Sequence, residues 1–91
     1  MYSVRPTAKF HKDLKRIKKR GYNIELLTEV IKKLARGETL EPAYLDHPLK
    51  GIFAGFRECH ITPDWLLIYE ISAGELILYL TRTGTHSDLF G

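Results

Sequence analysis

The stretches "WLLIYEI" and "LILYL" constrain this chain more than anything else in it. A strand with one wet face alternates apolar and polar residues. A nearly unbroken apolar run belongs instead to a strand covered on both faces or lying at a sheet centre. Pro63-Asp64 precedes the first run, and Ser72-Ala73-Gly74 separates it from the second, so both are bounded by turn signals. Residues 52–61, 65–71 and 75–82 therefore read as three successive strands.

Such a sheet needs a cover, and the first forty residues offer one. Tyr2 to Arg5 is short and β-prone, and Pro6 breaks it. Thr7 is placed to cap a helix over residues 8–20, in which Phe10, Leu14 and Ile17 form one apolar stripe. Gly21 suits the position just past its end. Asn23 is placed to cap a second helix, with Tyr22 and Leu27 as a hydrophobic staple. Leu27, Ile31 and Leu34 form its stripe, Leu26 and Val30 widen it, and Gly37 ends it. So short a connection predicts an antiparallel helical hairpin. Residues 37–51 carry two prolines and read as irregular. The order β-α-α-β-β-β predicts an α+β fold, a twisted and mainly antiparallel sheet with the hairpin packed on one face.

Ninety-one residues, 44% of them hydrophobic, suffice for a single domain over 1–91. No apolar run approaches the ~20 residues that span a bilayer, and no signal-peptide core is present, so no membrane role is expected. Cys59 is the sole cysteine, which rules out an intramolecular disulfide and fits a core residue in a reducing cytoplasm.

Charge is unevenly spread. Residues 1–20 carry eight Lys or Arg and one acid, Asp13, while the rest carry six cations and ten acids. Lys12, Lys15, Arg16 and Lys19 share a face of the first helix. A solvated helix face and a surface for a polyanion, nucleic acid first, are both open readings.

Three histidines lie near strand ends: His47 in the loop before the first long strand, His60 near that strand's end, and His86 just past the last strand. A meander makes His60, Asp64 and Trp65 neighbours. His11, among the lysines, reads as a surface residue. Taken singly, Asp64 is a turn former, Trp65 a core residue, and Arg57 and Arg82 are salt-bridge partners. If these groups converge, one imidazole can take a proton while another gives one. That pairing suits RNA cleavage by the internal 2′-hydroxyl, with an Arg or Lys stabilising charge on phosphorus. Zinc is the weaker reading, because no H-x-E, HExxH or CxxC arrangement occurs. There is no Gly-rich phosphate loop and no nucleophile elbow.

The segments "LDHPLKG", "FRECHITPDWLLIYE" and "RTGTHSDLFG" together resemble the YafQ-type branch of the RelE/ParE toxin superfamily. The likeness extends over nearly the whole chain, including the element order and the basic first helix. It implies a cytoplasmic toxin of a type II toxin–antitoxin pair, an endoribonuclease that enters the ribosomal A site and cuts mRNA with no metal or other cofactor. Carried onto this sequence, the active site falls on His47, His60, Asp64 and His86, with Trp65 and Phe90 in support. Asp64, alone or with His60, serves the 2′-hydroxyl, and His86 protonates the leaving oxygen. Arg57 and Arg82 are candidates for phosphate contacts on charge and position. Lys9, Lys12, Lys15, Arg16 and Lys19 would face ribosomal RNA. The implied partners are the 70S ribosome with its mRNA and a cognate antitoxin that lays a disordered or helical segment over the toxin. A ParE-like gyrase inhibitor, sharing the fold without catalytic histidines, is the alternative. The tail is expected to turn at Gly84, with Leu89 and Phe90 pinning it.

Overall fold

In the computed structural model, which describes residues 1–91, both long helices start at the caps their sequence offers. Thr7 Oγ1 accepts the Phe10 amide at 3.1 Å at the head of α1 (Ala8–Lys19). The same hydroxyl donates to the Thr81 carbonyl at 2.8 Å, so the cap also ties α1 to the sheet. Asn23 Oδ1 accepts the Glu25 amide at 3.1 Å at the head of α2 (Ile24–Ala35). Between them Gly21 takes φ 81, a left-handed conformation that glycine adopts without penalty.

Five strands follow the order β1-β5-β4-β3-β2: β1 (Ser3–Pro6), β2 (His47–Pro48), β3 (Arg57–Thr62), β4 (Trp65–Ser72) and β5 (Ile77–Gly84). All neighbours are antiparallel except β1, which runs parallel to β5 from Ser3 opposite Ile77 to Pro6 opposite Leu80. The fold is therefore α+β and mainly antiparallel, as expected.

Several boundaries differ from the sequence reading, each for a local reason. The first long strand starts at Arg57, not at residue 52, because Gly51–Phe53 forms a 3-10 turn and Gly55 sits at φ 94. Residues 37–51 contain a 3-10 turn at Pro42–Tyr44 and the two-residue β2. Leu76 takes a left-handed φ of 57, which delays β5 to Ile77. The tail is a third helix, α3 (His86–Phe90).

The unbroken apolar runs are explained by two cores, one on each side of the sheet. Trp65, Leu67, Tyr69, Leu78 and Leu80 face the helices, against Phe10 and Ile17 of α1 and Leu27, Val30 and Leu34 of α2. Leu66 and Ile68 face the other way and are covered by Leu89 of α3, with Leu49, Phe53 and Phe56 around them. A wholly buried Leu67 or Ile68 contributes about 1.5–3 kcal/mol. Cys59 is fully buried on the helix side, and burial pushes its thiol up to about 12, which makes it an inert core residue. No helix is long and apolar enough to cross a membrane.

Candidate active site

Strand alternation sorts β3 into two sets. Cys59 and Ile61 enter the core beneath the helices, so Glu58 and His60 point to the opposite face. β2 then sets His47 directly across from Glu58. His47 Nε2 lies 3.1 Å from Glu58 Oε2, and Nδ1 lies 2.6 Å from the Leu45 carbonyl. Leu45 supplies its carbonyl from a left-handed backbone at φ 49. Asp46 anchors the same loop, its Oδ1 accepting from the Tyr69 hydroxyl at 2.6 Å and Arg57 Nε at 3.3 Å. Burial, reinforced by this carboxylate, raises the Tyr69 phenol above its ordinary value.

His60 Nδ1 stands 3.2 Å from the Pro63 carbonyl. A carbonyl only accepts, so this bond requires the proton on Nδ1 and leaves Nε2 as the acceptor of a neutral ring. His60 also lines a cavity of about 410 Å³, with Tyr44, Leu45, Ile61 and Pro63 among the others. Asp64 is exposed in the turn that follows and joins no ion pair.

His86 arrives from the far side of the sheet. His60 pairs with Leu66, and Leu66 pairs with Gly84. Two strand spacings, about 10 Å, thus separate His60 from the end of β5. Two residues later His86 opens α3, which lies on the same face as His60 through Leu89. Its ring packs on Phe90 at 4.8 Å between centroids, and Phe90 meets Phe53 edge-on at 5.4 Å. His47, His60 and His86 therefore share one face, along with exposed Phe90. No three His, Cys, Asp or Glu side chains gather as a metal-holding group.

Residues 2–91 match the family model described as the YafQ bacterial toxin of type II toxin–antitoxin systems. The mRNA interferase toxin YafQ of Escherichia coli K12 is 38% identical over 86 residues, which cover 93% of this chain and 91% of the relative. The chain belongs to the YafQ family. A crystal structure of a metal-bound toxin from Helicobacter pylori has a TM-score of 0.93 at 48% identity, over 99% of this chain and all of the other. The YafQ of the E. coli DinJ–YafQ complex has a TM-score of 0.91 at 35% identity, over the full length of both.

Within this YafQ-family fold some expected site residues stand elsewhere. Trp65 is 2% exposed on the helix side, where Nε1–H donates to Thr83 Oγ1 at 2.9 Å and the ring meets Tyr22 edge-on. It supports the β3–β4 turn from within the core and does not reach the histidine face. Arg82 is not free for phosphate, because it grips Asp13 through Nε at 2.6 Å and Nη2 at 3.1 Å. Arg57 is held by Asp46. Arg16 stays exposed but binds Asp13 at 2.6 Å, whereas Lys9, Lys12, Lys15 and Lys19 are exposed and join no ion pair. The salt-bridge reading of Arg57 and Arg82 is the one the geometry bears out.

The sequence reading missed three carboxylates of this YafQ-family chain. Glu58 is almost buried, and its Oε1 has no hydrogen-bond partner. Its signal was the two-residue offset from His60. Asp13 lies three residues after Phe10 and four before Ile17, hence on the apolar stripe of α1. Asp88 follows Thr85 by three residues, a capping-box spacing.

Arg20, and then the Thr85 amide, hold the Asp88 carboxyl well below the usual carboxylate range. A depressed folded pKa stabilises above the unfolded value of ~3.9 and is lost as pH falls through the folded one. Stability of the wild type is thus expected to fall below about pH 4 more steeply than that of Asp88→Asn. Parallel urea titrations from pH 5 to pH 2 measure this, and equal slopes would refute it.

Proposed function

We propose that residues 1–91 act as one toxin unit, a cytoplasmic endoribonuclease that cleaves mRNA in the ribosomal A site and so stops translation. The observation that carries this reading is His60, its Nδ1 set against the Pro63 carbonyl, on the same sheet face as the His47–Glu58 pair and the α3 histidine. The names of the relatives agree with it, since they describe an mRNA interferase.

His60, with Asp64 in the exposed turn after its strand, takes the proton of the 2′-hydroxyl. The 2′-oxygen then attacks phosphorus and the bond to the 5′-oxygen breaks. His86 gives that oxygen its proton, so the products are a 2′,3′-cyclic phosphate and a 5′-hydroxyl. His47, held by Glu58 and Leu45, faces the charge that builds on phosphorus. The nucleophile belongs to the substrate, so the scheme calls for no metal-activated water. The free lysines of α1 face ribosomal RNA, and an antitoxin covers the toxin as DinJ partners YafQ in the E. coli complex.

Mapping mRNA ends after brief induction in cells tests the reading. Cuts at a fixed position within codons are expected, and in a purified translation complex they persist in EDTA with magnesium in excess. Intact transcripts accompanied by DNA damage would point to gyrase and overturn the proposal. Loss of cleavage in EDTA would overturn its metal-independent scheme.

A further inference from the structure

We infer that Arg20 and Asp88 form a clamp that positions His86 for proton transfer, an inference that rests on the nuclease reading above. Arg20 closes α1, and Asp88 lies 68 residues away in α3. The guanidinium meets the carboxylate as a fork, Nη1 to Oδ2 at 2.6 Å and Nη2 to Oδ1 at 2.9 Å. Two parallel charge-assisted bonds fix orientation as well as distance, which a lysine ammonium does not do.

The helix needs such a tie. α3 has five residues, too few to be stable alone. Asp88 also closes its capping box: Oδ2 accepts the Thr85 amide at 2.9 Å, and Thr85 Oγ1 accepts the Asp88 amide at 3.1 Å. One carboxylate thus joins the first turn of α3, which carries His86, to the rigid end of α1. Gly84, at φ 154, makes room for this, since a Cβ there would lie 2.9 Å from Asp88 Oδ2. Arg16 adds a weaker contact to Asp88 at 3.6 Å.

The side chain of Arg20 is 37% exposed, so the pair adds little to global stability. Its effect lies in geometry. A displacement of about 1 Å at a catalytic group costs on the order of 100-fold in rate. Stability and catalysis should therefore separate on mutation.

The test uses Arg20→Gln, Arg20→Lys and Asp88→Asn in the full chain, assayed for mRNA cleavage on programmed ribosomes. For Arg20→Gln the inference predicts a kcat about 10- to 100-fold lower, with KM within about twofold and Tm within a few degrees. Arg20→Lys should fall between it and the wild type. Asp88→Asn keeps the capping acceptor but should lose kcat as Arg20→Gln does. The free proteins supply a readout independent of the ribosome: the His86 ring resonance shifts or broadens in Arg20→Gln while that of His60 does not. An unchanged kcat with an unchanged His86 resonance would overturn the clamp. A rise in KM alone would also overturn it, assigning Arg20 to RNA contact. A wild type that cuts nothing would overturn the nuclease reading instead, and with it the catalytic role given to the clamp.

Discussion

His86→Ala is expected to lower mRNA cleavage by about 10²- to 10⁴-fold, the range for loss of a positioned general acid. The residue is exposed, and its ring packs on Phe90. Its removal should change folding stability by no more than about 0.5 kcal/mol. Circular dichroism and antitoxin binding should match the wild type while growth arrest on induction disappears. A variant that still arrests growth would end the nuclease reading, because a gyrase inhibitor of the same fold needs no imidazole.

Asp13→Ala is expected to give the largest stability loss. Asp13 is 2% exposed and takes Arg82 through two bonds, Arg16 at 2.6 Å and the Thr83 amide at 3.2 Å. Truncation strands a half-buried guanidinium and a buried N–H together. Breaking a buried ion pair from one side costs about 3–5 kcal/mol. A domain of this size holds on the order of 5–15 kcal/mol in total, so Tm should fall by at least about 12 °C. Asp13→Asn keeps an acceptor for Thr83 and should lose less. A change below about 1 kcal/mol in urea would show that the two arginines find other partners.

What could be read from the sequence was mostly local. Thr7, Gly21 and Asn23 act within a few residues, and each performs in the structure the role its position implied. The apolar runs correctly marked β4 and β5 as covered on both sides. The parallel partner of β5 was not legible, because Ser3 and Ile77 meet across the whole chain. α3 was missed because five residues show no helical period, although its capping box was written in Thr85 and Asp88.

The site follows the same division. His47, His60 and His86 were singled out by chemistry and motif, and one sheet face holds all three. The face of Trp65 was open to reasoning too, since two-residue periodicity places it with Leu67 and Tyr69. The pairing of arginines with Asp13, Asp46 and Asp88 depends on tertiary approach and left only weak traces. Asp13 on an apolar stripe was the clearest of these.

The sheet order carries a consequence for the cell that makes this protein. β1 pairs with β5, and α3 follows β5, so segments far apart in sequence close the structure together. A nascent chain lacking the last fifteen residues has neither His86 nor the second core's Leu89, and β1 still has no neighbour. Contacts so distant in sequence form late. On the nuclease reading, activity appears only after residues 77–91 have been made, and the ribosome translating them is spared until then.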